Sequence, residues 1–74
     1  MKLPIISGIE VIKRLKRAGF IATRQKGSHV RLGKFANEGI IKITVPIHPE
    51  IKKGTLNRII KDAGLTVEKF EQLK

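Results

Sequence analysis

The alternation of apolar and polar positions along the 74 residues changes period several times, and each change marks an element. Ser7-Gly8-Ile9-Glu10 has the spacing of a capping box, with Ile6 and Val11 at the N′ and N4 positions of a hydrophobic staple, so a helix starts here. Val11, Ile12, Leu15 and Ala18 recur at intervals of three and four, which turns one face to a core and leaves Lys13, Arg14, Lys16 and Arg17 on an exposed cationic face. Gly19, a natural C′ residue, stops the helix. From Phe20 to Lys26 the chain reads as a strand, Gly27-Ser28 fits a two-residue type II′ turn with Gly first, and His29 to Lys34 reads as the returning strand. That register pairs Lys26 with His29 and Arg24 with Arg31, and it assigns Ile21, Thr23, Val30 and Leu32 to the opposite, core-facing side.

After the connector Phe35-Ala36-Asn37-Glu38-Gly39, Ile40 to Val45 forms a third strand that sends Ile41, Ile43 and Val45 inward and Lys42 and Thr44 outward; Pro46 ends it. Pro46 to Lys53 reads as a loop. Gly54-Thr55 opens a second helix with Leu56, Ile59, Ile60 and Ala63 on one stripe, closed by Gly64 with Leu65 as the C″ contact of a Schellman ending. A short terminal helix from Thr66 to about Leu73 adds Val67, Phe70 and Leu73. The predicted architecture is α+β: a single domain over residues 1–74, ordered α-β-β-β-α with a further short C-terminal helix. Both main helices cover one face of a three-stranded antiparallel sheet, and the other face is wet.

Charge changes the meaning of that wet face. Sixteen Lys and Arg against six Asp and Glu give a formal net charge of +10, the footprint of a protein that meets a polyanion. There is no apolar run of about 18 residues, no signal-peptide core and no cysteine for lipidation, which points away from a membrane and toward a soluble, cytoplasmic chain. The lack of cysteine also removes disulfides and cysteine-based zinc sites, and two histidines alone make no metal site. Nucleic acid is the leading partner. The face holds Arg24, Lys26, His29, Arg31, Lys42 and Thr44, with like charges directly opposite one another, an arrangement that destabilises a sheet and that a bound anion would explain. Scattered cations that merely keep a small basic protein in solution are the plainer reading. Lys52 and Lys53, before the helix start at Gly54-Thr55, form a second candidate phosphate clamp beside free N–H groups, and simple helix capping by Thr55 explains the same residues equally well.

Gly27-Ser28-His29 places an imidazole one residue past a tight turn, among cations. Imidazole is the one side chain whose ordinary pKa lets it trade protons near neutrality. Cleaving RNA through its 2′-hydroxyl needs a base for that proton, an acid for the leaving 5′-oxygen and cations around a pentacoordinate phosphate, and it needs no metal or small-molecule cofactor. His29 can serve as base or acid, Arg24, Lys26 and Arg31 can stabilise charge, and Ser28 can donate to a phosphate oxygen. A two-metal nuclease wants clustered carboxylates, whereas Glu10, Glu38, Glu50, Asp62, Glu68 and Glu71 are dispersed. A strand-edge histidine is more often an ordinary surface residue than a catalyst, and only its cationic surroundings shift that balance. His48, before Pro49 in a loop, carries a weaker signal.

Gly19-Phe20, Arg24-Gln25-Lys26-Gly27-Ser28-His29, Thr44-Val45-Pro46 with His48, Gly54-Thr55-Leu56 and Ile59-Ile60-Lys61-Asp62-Ala63-Gly64-Leu65, taken in that order, resemble the HicA toxin family over nearly the whole chain. The resemblance implies a fold similar to the double-stranded-RNA-binding domain. It also implies a metal-independent endoribonuclease (mRNA interferase) acting on translated RNA and neutralised by a HicB-type antitoxin. The family's essential histidine carries over onto His29; no catalytic role carries over onto Val30. The alternative is a non-catalytic module that recognises A-form RNA by shape, through the first helix and the Lys52-Lys53 region.

Overall fold

Ser7 begins the first helix as expected: its hydroxyl accepts from the Glu10 N–H at 3.1 Å and caps α1, Gly8–Arg17. The computed structural model describes residues 5–74. The expected capping box is half made, because Glu10 turns away from Ser7 and accepts from Arg14 Nε at 3.0 Å. The helix ends in a Schellman motif around Gly19 at φ +102°, in which Gly19 N–H donates to the Lys16 carbonyl and Phe20 N–H to that of Leu15. Phe20 is thus the C″ residue, buried in the core, and not the first residue of a strand.

Three strands follow, β1 (Ile21–Lys26), β2 (His29–Ala36) and β3 (Gly39–Pro46), antiparallel in the order β1-β2-β3. Gly27 at φ +59° makes the tight turn between the first two, with Ser28 at negative φ as a type II′ turn requires. Arg24 pairs with Arg31 and Lys26 with His29, the register expected from the turn. Beyond Arg24 the register shifts, because Thr23 is the extra residue of a β-bulge. Ile21 then lies opposite Gly33, on the outer face, and is exposed, as is Thr23, so the expectation that both face the core is wrong. The hairpin contributes Val30 and Leu32 to the core, and β1 has no buried residue.

α2 (Lys53–Asp62) packs Leu56, Ile59 and Ile60 inward and, with α1, covers the inner face of the sheet formed by Val30, Leu32, Ile43 and Val45. It begins one residue earlier than expected, with Lys52 as N-cap and no side-chain capping bond, and it closes on a second Schellman motif from Gly64 N–H to Lys61 and Leu65 N–H to Ile60. α3 (Val67–Gln72), capped by Thr66, inserts Phe70 fully into the core. The order is therefore α-β-β-β-α plus a short C-terminal helix, an α+β fold.

α3 also corrects the expected exposure of Arg14, which retains only 5% of its surface. Its guanidinium lies 4.8 Å from the centre of the Phe70 ring and forms an ion pair with Glu71 at 3.6 Å, too long for a hydrogen bond. Arg17 donates to the Leu73 carbonyl at 2.8 Å, so two cations of α1 fasten the last helix. The loop after β3 is fastened at three places: Ile47 N–H donates to the Ser28 carbonyl at 2.6 Å, Gly8 N–H to that of His48 at 2.9 Å, and Ile51 N–H to that of Ile6 at 2.8 Å. At Gly8 the helix start and the end of β3 touch backbone to backbone, and a Cβ there would overlap the Pro46 carbonyl oxygen. No helix among the described residues is long and apolar enough to cross a membrane.

Candidate active site on the open sheet face

His29 opens β2, the central strand, so it has a neighbour on each side: Lys26 across the turn and Pro46 at the end of β3. Ser28, just before it, is held by the Ile47 N–H, which fixes the turn against the loop. Side chains alternate along β2, so His29 and Arg31 share the outer face, and the register brings Arg24 and Thr44 beside Arg31 from the two flanking strands. Arg24, Lys26, His29, Arg31 and Thr44 together line a shallow groove of about 320 Å³. Its ionisable lining consists of two guanidinium groups, one lysine amine and one imidazole, with no carboxylate.

The electrostatic arrangement is costly without a ligand. Arg24 directly opposes Arg31, and like charges in register destabilise an antiparallel pair by some tenths of a kcal/mol up to about 1 kcal/mol. Glu10 and Glu71 give them no relief, because both carboxylates are bound to Arg14 in the helical layer. Among the described residues no three His, Asp or Glu side chains converge as a metal site would require. The arrangement suits an anion with several acceptor oxygens, such as a phosphodiester, placed next to a group that can give or take a proton.

The structure gathers in one groove five of the six residues that the sequence assigns to the anion-binding face, Arg24, Lys26, His29, Arg31 and Thr44, and leaves Lys42 outside its lining. Ser28 is exposed on the turn outside the groove lining, and Lys52, Lys53 and Thr55 lie exposed at the start of α2, also outside it. Thr55 makes no capping bond, so capping does not explain its presence there. The strand pattern places Thr44 on the cationic face, and the β2–β3 register, which the sequence does not fix, sets it opposite Arg31. The outer face also carries a feature that the periodicity hides. Ile21, Gly33, Phe35 and Ile40 form an apolar patch further along the same strands, because the bulge turns Ile21 outward and β2 and β3 extend through the expected connector.

An α-β-β-β-α domain with its helices on one side of the sheet and a histidine-bearing cationic groove on the other defines the class. Within that class the chain belongs to the HicA toxin family of bacterial toxin–antitoxin systems: the family model described as HicA toxin of bacterial toxin-antitoxin matches residues 8–65. The matched range takes in α1, all three strands, α2 and the Gly27-Ser28-His29 turn, and stops short of α3. No curated protein matches the chain.

Proposed function

We propose that this toxin is a metal-independent endoribonuclease that cleaves mRNA in the cytoplasm with His29 as its catalytic residue and that a HicB-type antitoxin neutralises it. The observation that carries the proposal is the position of His29 in a groove whose other charged walls are all cationic. A phosphodiester seated there meets Arg24, Lys26 and Arg31, which stabilise the charge that grows on the phosphate oxygens as a fifth oxygen bonds to phosphorus. The 2′-oxygen attacks, the bond to the 5′-oxygen breaks, one proton leaves the 2′-hydroxyl and another reaches the departing oxygen. His29 performs one of these transfers, water in the open groove performs the other, and the products are a 2′,3′-cyclic phosphate and a 5′-hydroxyl. Ser28 adds a hydroxyl donor at the turn, and Lys52, Lys53 and the N-terminal turn of α2 with Thr55 bind a further phosphate of the same strand.

The test is incubation of the protein and of His29→Ala with a long single-stranded RNA in EDTA. The parent cleaves and the variant loses about 10²–10⁴-fold in rate, the usual scale for a proton-transfer residue, with its thermal midpoint within a few degrees because the position is exposed. Parental cleavage by the variant removes His29 from the mechanism. Binding without cleavage by the parent would make the chain an RNA-binding module.

A further inference from the structure

The apolar patch on the outer sheet face is not used by the chemistry above, and it is unusual for its exposure. Phe35 leaves 83% of its surface in solvent, Ile21 67% and Ile40 56%. Together with Gly19, Thr23, Gly33 and Lys34 they line a groove of about 360 Å³, and Gly33 supplies its floor: a Cβ there would meet the Ile40 and Thr23 methyl groups and the Ile41 carbonyl oxygen at ordinary contact distance, so its absence leaves the trough one carbon deeper. The patch continues the cationic groove. Arg31, Gly33 and Phe35 follow one another on one face of β2, and Arg31 and Phe35, four residues apart, stand about 14 Å from each other along the strand. Lys42, paired with Gly33, sits between the two ends.

The geometry points to a base-binding subsite: Phe35, with Ile21 and Ile40 beside it, stacks an unpaired nucleobase of the RNA strand whose phosphate lies at Arg24, Lys26 and Arg31. The inference rests on the reading of the groove as an RNA site and adds the element that holds the strand in register. Charge orders the two ends. Phosphate is attracted to the end with Arg24, Lys26 and Arg31, while the one cation lining the other end, Lys34, has its ammonium bonded to the Ala18 carbonyl at 2.8 Å, which leaves Phe35, Ile21 and Ile40 to a neutral ring. An exposed aromatic on an open sheet face is a stacking platform that accepts any base, because every base has a π-face. Size argues against a protein as the intended occupant: three apolar side chains are few for the centre of an interface that buries about 800 Å² on each partner.

The experiment uses an RNA oligonucleotide made uncleavable by 2′-O-methyl substitution, with 2-aminopurine placed at successive positions, titrated with the parent, Phe35→Ala, Phe35→Leu and Phe35→Trp. One position is expected to lose fluorescence on binding to the parent and to Phe35→Trp. Phe35→Ala and Phe35→Leu lose that quenching and bind roughly 10-fold more weakly, with an unchanged salt slope because no phosphate contact is removed. Unchanged affinity and quenching in Phe35→Ala overturn the subsite while leaving the nuclease reading intact. So does a result in which Phe35→Ala binds RNA normally but loses an antitoxin, which would make the patch a protein contact. A parent that binds no RNA overturns both proposals together.

Discussion

Replacing glycine by alanine at two places should move stability in opposite directions. At Gly8 an added Cβ would overlap the Pro46 carbonyl oxygen and crowd Ile47 Cα at 3.1 Å. Neither can give way freely, because Ile47 N–H is bonded to the Ser28 carbonyl and the Gly8 N–H itself to that of His48. Overpacking of this kind costs about 1–3 kcal/mol. Loss of the Gly8–His48 bond adds about 1 kcal/mol. Lower backbone entropy of the unfolded chain returns about 0.4–1 kcal/mol, so Gly8→Ala should destabilise by about 2 kcal/mol. For a domain of this length that is a fall in thermal midpoint of roughly 10 °C. Gly54, in the first turn of α2, has open space within 4 Å of where a Cβ would stand and no positive φ, so Gly54→Ala keeps only the entropic gain. Its midpoint should rise by a few degrees. Thermal unfolding followed by circular dichroism in the far ultraviolet reads both. A Gly8→Ala midpoint indistinguishable from that of the parent would refute the backbone contact as a constraint on how α1 meets the sheet.

Three further outcomes test the charged surfaces. Binding of single-stranded RNA should give a log-log salt slope of roughly −2 to −4, and replacing Lys52 and Lys53 together by Ala should flatten it by about one or two; an unchanged slope removes that pair from the phosphate contacts. Arg24→Glu replaces a like-charge pair with an opposite one across from Arg31, so at low salt it should stabilise the fold by up to about 1 kcal/mol while abolishing RNA binding, and a variant that is less stable contradicts the assigned repulsion. An acidic antitoxin that occludes the groove should slow amide exchange from Arg24 to Arg31; protection confined to residues 66–74 would show inhibition from a remote face.

Local signals make much of this fold readable. Ser7, Gly19 and Gly64 each act within five residues of their own position, and Gly27-Ser28 sets the hairpin register at the turn, so the pairing of Arg24 with Arg31 and the placement of His29 beside Lys26 follow from spacing alone. What spacing misses depends on partners distant in sequence or on a break in period that leaves no mark. The Thr23 bulge contains neither Gly nor Pro, so strict alternation carries Ile21 and Thr23 to the wrong face. Arg14 looks like any other cation of α1 until Phe70 and Glu71, more than fifty residues later, close over it. Phe20 belongs to a helix ending, and Ile51, buried in the loop, is held by a bond to Ile6 that no periodicity encodes. The apolar patch is hidden for the same reason as the bulge that helps to build it.

β1 stands at the rim of the sheet with all six residues exposed, and a rim strand offers its unpaired peptide groups to any other chain. The bulge at Thr23 spoils the regular spacing of those groups, and Arg24 and Lys26 would confront their own charges if two copies joined rim to rim. The cations proposed to attract RNA therefore also act as gatekeepers against self-assembly. Any polyanion that fills the groove lifts that repulsion at the moment it occupies the site, so protection of the rim against pairing and availability of the groove depend on the same two side chains, Arg24 and Lys26.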